Sequence, residues 1–110
     1  AVPALKPNSP WGPNVSTPPD SLKGLRILVV EDETLIAEEI CDRLAALDLT
    51  VVQVADSGEE AIGAAKTHQP DLILMDIRLK GSLDGIQTTE VIRQSSPAPI
   101  VFLTSHSDRD

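Results

Sequence analysis

Three short runs constrain this chain more than anything else in it. Ile27-Leu28-Val29-Val30, Leu72-Ile73-Leu74-Met75 and Ile100-Val101-Phe102-Leu103 are apolar throughout. Each stops abruptly at acids or hydroxyls: Glu31-Asp32, Asp76, and Thr104-Ser105. Short, continuous, largely aliphatic runs of this kind predict strands buried on both faces, as in a parallel sheet, which leaves the third run either an unprotected edge or, the favoured reading, a strand whose neighbour lies among missing residues. Val51, Val52 and Val54, broken by Gln53, read as a weaker strand whose polar positions suit a sheet edge.

Helical patterns fall between the runs. Leu35, Ile36, Ile40, Leu44 and Leu47 recur at helical spacing, with Glu38, Glu39, Asp42 and Arg43 on the other side. Ser57-Gly58-Glu59-Glu60 matches a capping box opening an Ala-rich helix to about Thr67, which Gln69-Pro70 ends. A polar, Gly-containing loop runs from Arg78 to Gly85, then a helix from Ile86 to Gln94, stopped by Ser95-Ser96-Pro97. Strand and helix thus alternate with short connections. That pattern predicts an α/β domain: βαβ units, a parallel sheet, helices on both faces and right-handed crossovers.

Residues 1–22 differ. They hold six of the nine prolines and few apolar side chains, which predicts a disordered or extended linker, with Trp11 a solvated residue in it. At 110 residues the chain has room for one domain beside this stretch. Nine Lys and Arg against 17 Asp and Glu give a net charge of −8, which argues against a surface for nucleic acid or an anionic membrane. The single cysteine, Cys41, excludes an internal disulfide and reads as a packing residue of the first helix. No apolar run approaches the ~20 residues that span a bilayer.

In open parallel sheets the working site lies at the carboxyl ends of the strands. Here those ends carry Glu31 and Asp32, Asp76, and Thr104 and Ser105. With neighbouring strands ~4.8 Å apart, the three carboxylates converge and repel, so such a pocket takes up protons or a cation. An oxygen-only donor set favours a hard ion such as Mg2+. An aspartate can also attack phosphorus to form an acyl phosphate, whose charge Mg2+ offsets. Taken singly, each acid reads as a helix cap or a turn residue. Four positions on three strand ends carry the functional reading. Phosphate loops of the G-x-G-x-x-G and G-x-x-x-x-G-K-[ST] types are absent, and the acidic turn after the first strand would repel a flavin or dinucleotide phosphate. Dehalogenase-like phosphotransferases resemble D-x-D, whereas here Arg78 stands two places after Asp76.

Leu28-Val29-Val30-Glu31-Asp32-Glu33, Ala55-Asp56-Ser57-Gly58-Glu59-Glu60-Ala61, Pro70-Asp71-Leu72-Ile73-Leu74-Met75-Asp76, Asp84-Gly85 and Phe102-Leu103-Thr104-Ser105, in that order, resemble the receiver domain of two-component response regulators. The resemblance spans about residues 23–110. It implies a flavodoxin-like doubly wound sheet of strand order 2-1-3-4, with the fifth strand of a full receiver beyond this chain. It implies Asp76 as phosphoacceptor and Glu31 and Asp32, with Asp76 and the backbone carbonyl of Arg78, as the Mg2+ ligands. Thr104 is then the switch hydroxyl. Leu79-Lys80 replace the family's usual Met-Pro, in a loop one residue longer than usual before Gly85.

The resemblance also implies a phosphoacceptor module rather than an enzyme, one that at most slowly dephosphorylates itself. Its partner would be a sensor histidine kinase or a histidine phosphotransfer domain, in the cytoplasm, with no direct contact to nucleic acid or membrane. The Pro-rich stretch would tether it to an upstream domain. The family's fourth helix, fifth strand, fifth helix and Lys-Pro pair have no counterpart up to Asp110. Their absence raises the alternative of a receiver-like interaction module that is not phosphorylated. A solvated Lys80 and a His106 outside any oxygen-only metal shell complete the expectations.

Overall fold

The computed structural model describes residues 22–103, as four strands and three α-helices. They run β1 (Arg26–Val30), α1 (Thr34–Ala46), β2 (Thr50–Ala55), α2 (Gly58–His68), β3 (Leu72–Asp76), α3 (Gly85–Ile92) and β4 (Ile100–Leu103). All pairings are parallel and the order is β2-β1-β3-β4, as expected. The linker reading of residues 1–22 and those of Thr104, Ser105 and His106 concern positions outside the described residues, Leu22 apart.

The order of the strands dictates where the helices go. The step from β1 to β2 runs one way along the sheet, and the steps to β3 and β4 run the other way. With right-handed crossovers, α1 therefore covers one face and α2 and α3 the opposite one. The α2–α3 side holds the main core. Leu28, Val30, Ile73 and Met75 from the strands meet Ala61, Ala64, Ala65 and Ile92 from the helices, all nearly inaccessible to water. The small alanines let α2 lie close to the sheet. On the other face, Ala37 of α1 is buried and Ile36, Ile40 and Leu44 are half-buried.

Two apolar residues of the helical pattern stay out of the core. Leu35 is 79% exposed and Leu47 61%. Leu35 sits ~100° around the helix from the 36-40-44 stripe, and Leu47 lies past the last helical turn as its C-cap.

The central strands are buried as predicted, but β4 is not. Val101 is 48% exposed and Phe102 37%. The cause is position. Among the described residues β4 pairs with β3 alone, at one edge of the sheet. The row Val29–Leu74–Val101, linked by register across three strands, shows the gradient: buried, half-buried, then exposed with distance from α1.

Helix ends follow the polar residues, with two differences from the sequence reading. The Ser57 hydroxyl accepts from the Glu60 amide, as a cap should, but the Glu60 carboxylate reaches the Asp56 amide rather than returning to Ser57. The complete capping box lies at α3 instead. Asp84 Oδ1 accepts from the Gln87 amide at 2.8 Å, and Gln87 Oε1 accepts from the Asp84 amide at 3.0 Å. Since α3 has only eight residues, it depends heavily on this cap. Asp84→Ala is expected to cost about 1–2 kcal/mol, read as a lower urea midpoint at unchanged slope.

Candidate phosphoacceptor and cation site

Register brings the acids together. Val30 pairs with both Ala55 and Met75, so Glu31 and Asp32 leave β1 beside Asp76, the last residue of β3. One carboxylate oxygen from each of Glu31, Asp32 and Asp76 lies within 4.8 Å of the other two. Among the described residues this is the group of side chains placed to share a metal ion. The convergence expected from the strand ends is therefore present.

Burial grades the three. Asp76 has no exposed surface, Glu31 is 2% exposed, and Asp32 is half-buried at the mouth. Backbone amides aim all three carboxylates. Glu31 Oε2 accepts from the Glu33 amide at 3.1 Å, Asp76 Oδ1 from the Arg78 amide at 2.9 Å, and Asp32 Oδ2 from the Lys80 amide at 3.2 Å. These bonds hold the side chains in place. An oxygen-only set of carboxylates at this spacing has the donor chemistry of a site for a hard divalent cation.

Gly85 lets the site close. A Cβ there would stand 2.4 Å from the Asp76 carbonyl oxygen and 2.8 Å from Ile77 Cα. The start of α3 thus packs directly on the backbone that carries Asp76. The loop between them is pinned at its middle, where Leu79 is 5% exposed and joins the core.

Beside the cluster, between α1 and β2, opens a groove of about 530 Å³. Glu31, Asp32, Glu38, Asp42, Asp56 and Glu60 give its wall a strong negative charge. Asp56 is held above the usual carboxylate range by its hydrogen bond and charge interaction with Glu60, which is itself held low by the Asp56 amide. Cys41 also lines this groove and is half-buried, in keeping with a packing role. Burial pushes its thiol up, and the Asp42 and Glu38 charges add to the effect, so little of it is nucleophilic thiolate.

Lys80 is exposed, as expected. Its contribution is its backbone amide, and no residue-type signal could have pointed to it, since any residue but proline carries that group. The Asp84 cap, by contrast, was visible as D-x-x-Q before an apolar helix.

The response regulator receiver domain family matches residues 27–110. The chain belongs to that family. A protein-glutamate methylesterase/protein-glutamine glutaminase of Natronomonas pharaonis is 36% identical over 88 residues, which is 80% of this chain and 24% of that protein. The transcriptional regulatory protein PdtaR of Mycobacterium tuberculosis is 37% identical over 95 residues, 86% of this chain and 46% of that protein. The receiver thus spans a quarter to under half the length of these curated relatives. Among solved structures, the receiver domain of the sensor histidine kinase PA1611 from Pseudomonas aeruginosa is 33% identical, with a TM-score of 0.68 over 78% of this chain and 71% of that one. That structure has a magnesium ion coordinated in its active-site cleft. The signal receiver domain of a modulated diguanylate cyclase from Desulfovibrio desulfuricans is 39% identical, with a TM-score of 0.71 over 77% and 66% of the two chains.

Proposed function

We propose that this receiver accepts a phosphoryl group on Asp76 from a phosphohistidine, carried by a sensor histidine kinase or a histidine phosphotransfer domain, in the cytoplasm. The meeting of three strand-end carboxylates around one point carries this reading. Glu31, Asp32 and Asp76 hold Mg2+ through oxygen, and the backbone carbonyl of Arg78 completes the protein's share of ligands. When bound, the ion offsets the negative charge of the phosphoryl oxygens.

The rest falls to the chain's own groups. A carboxylate oxygen of Asp76 attacks phosphorus as the bond to the donor nitrogen breaks, giving an acyl phosphate. The Arg78 amide keeps the attacking side chain oriented. The product brings about −1.5 to −2 of new charge at pH 7, by analogy with other phosphorylated side chains. Thr104, which directly follows the Asp76 partner Leu103 in β4, donates to a phosphoryl oxygen and shifts the balance between two surface states.

One observation favours a second reading. Asp76 has no exposed surface, so a donor reaches it only after a local rearrangement. If none occurs, the chain is an interaction module whose acidic cluster is never phosphorylated. Incubation with acetyl phosphate and Mg2+ separates the two. Gain of one phosphoryl mass, absent with Asp76→Asn and without Mg2+, is the expected result. No gain by a folded chain that binds Mg2+ establishes the second reading.

A further inference from the structure

We propose that Ser82 is a positioning residue for the cation site: its bond to Glu59 holds the β3–α3 loop so that the Lys80 amide orients Asp32. The inference rests on the cation reading above and assigns part of that site's affinity to a side chain that touches no ligand atom.

Asp32 is the acid with most freedom. It is half-buried at the mouth, and the described contact to its carboxylate is the Lys80 amide, which comes from 48 residues away in the chain. The position of that amide depends on residues 77–84. Leu79 anchors one side of Lys80 in the core. The other side is exposed and needs its own anchor. Gly81 has φ +107°, a conformation that side chains rarely adopt, and open space surrounds it. This turn sends Ser82 toward the first turn of α2. There the Ser82 hydroxyl donates to Glu59 Oε2 at 2.6 Å, the short distance of a charge-assisted bond. The same bond, with the Glu59 amide, holds the Glu59 carboxyl below its usual range. Ser82 and Glu59 therefore brace the loop against a helix that the Ser57 cap already fixes. With the brace in place, Asp32 is oriented before a cation arrives. Without it, the loop samples positions that leave Asp32 to order itself on binding.

The test is Mg2+ titration by calorimetry of the parent chain, Ser82→Ala, Glu59→Ala, the double variant and Ser82→Thr. Alongside it, hydrogen exchange of the Lys80 amide is measured in cation-free protein. Each single alanine variant is expected to weaken Mg2+ binding about 3- to 10-fold, less than the ~10- to 100-fold typical of a group that touches a ligand itself. The double variant should be no weaker than either single one, since both remove the same bond. Ser82→Thr should restore affinity, and Lys80 exchange should quicken in the alanine variants alone. Unchanged affinity in Ser82→Ala, additive losses, or unchanged exchange at Lys80 overturns the proposal. A parent chain that binds no Mg2+ sinks the site reading and this inference together, whereas parent binding that Ser82→Ala leaves intact sinks this inference only.

Discussion

Asp76→Asn is expected to melt higher than the parent chain in a chelating buffer, and to lose that lead when magnesium is added. The first half follows from charge. One carboxylate oxygen from each of Glu31, Asp32 and Asp76 lies within 4.8 Å of the other two, and at an effective dielectric constant of ~20 a pair of like charges at that distance repels by about 3.5 kcal/mol. Backbone amides and the half-exposure of Asp32 offset part of this. Asparagine has nearly the same shape and can still accept from the Arg78 amide. A net gain of about 1 kcal/mol corresponds to roughly 4–8 °C for a domain of this size. The second half follows from linkage. Magnesium at ten times its dissociation constant stabilises the parent by about 1.4 kcal/mol, and a variant that binds poorly gains little of this. Thermal scans of both proteins in EDTA and in MgCl2 check it. An equal response of the two proteins to magnesium would remove Asp76 from the ligand set.

Gly85→Ala is expected to destabilise the fold by about 2–3 kcal/mol, the upper part of the range for overpacking, and to weaken magnesium binding as well. The added methyl would stand 2.4 Å from the Asp76 carbonyl oxygen, 2.8 Å from Ile77 Cα and 3.1 Å from the Asp76 carbonyl carbon. All three are backbone atoms, so no side-chain rotation relieves the clash. The backbone that must give way carries both Asp76 and the Arg78 amide. Gly63 in α2 is the matched control, because its Cβ would meet nothing within 4 Å. There the same change should stabilise by up to about 1 kcal/mol, the helix propensity difference. Urea unfolding of the two variants reads the contrast. Similar effects at both positions would mean that helix propensity, and not the approach to Asp76, decides the outcome.

How legible the protein was in its sequence depended on what each signal measures. The strands could be read almost residue by residue, because apolar runs ending in charge report burial directly. The strand order came from the motif set, and the register then explained why Glu31, Asp32 and Asp76 meet. The burial of β4 was open in the sequence, because four apolar residues look the same at a sheet's centre and at its edge, and only pairing distinguishes them. Leu35 and Leu47 fit the helical spacing yet stay exposed, one off the buried stripe and the other past the last turn, which spacing alone does not distinguish. At α2 the Ser57 half of the expected box forms, while the Glu60 carboxylate takes the Asp56 amide in place of the Ser57 amide. The loop contacts that aim the cluster were hidden altogether. They come from the backbone of Arg78 and Lys80, and a main-chain group has no letter in the sequence.

The exposure gradient across Val29, Leu74 and Val101 bears on how the chain behaves in company. Among the described residues the least sheltered strand, Ile100–Leu103, also lacks any charged side chain, the kind of edge to which another such edge can add. A net charge of −8 opposes such addition at long range. Acid or concentrated salt weakens that mutual repulsion, so those are the conditions under which such strands would find each other and the solution turn cloudy.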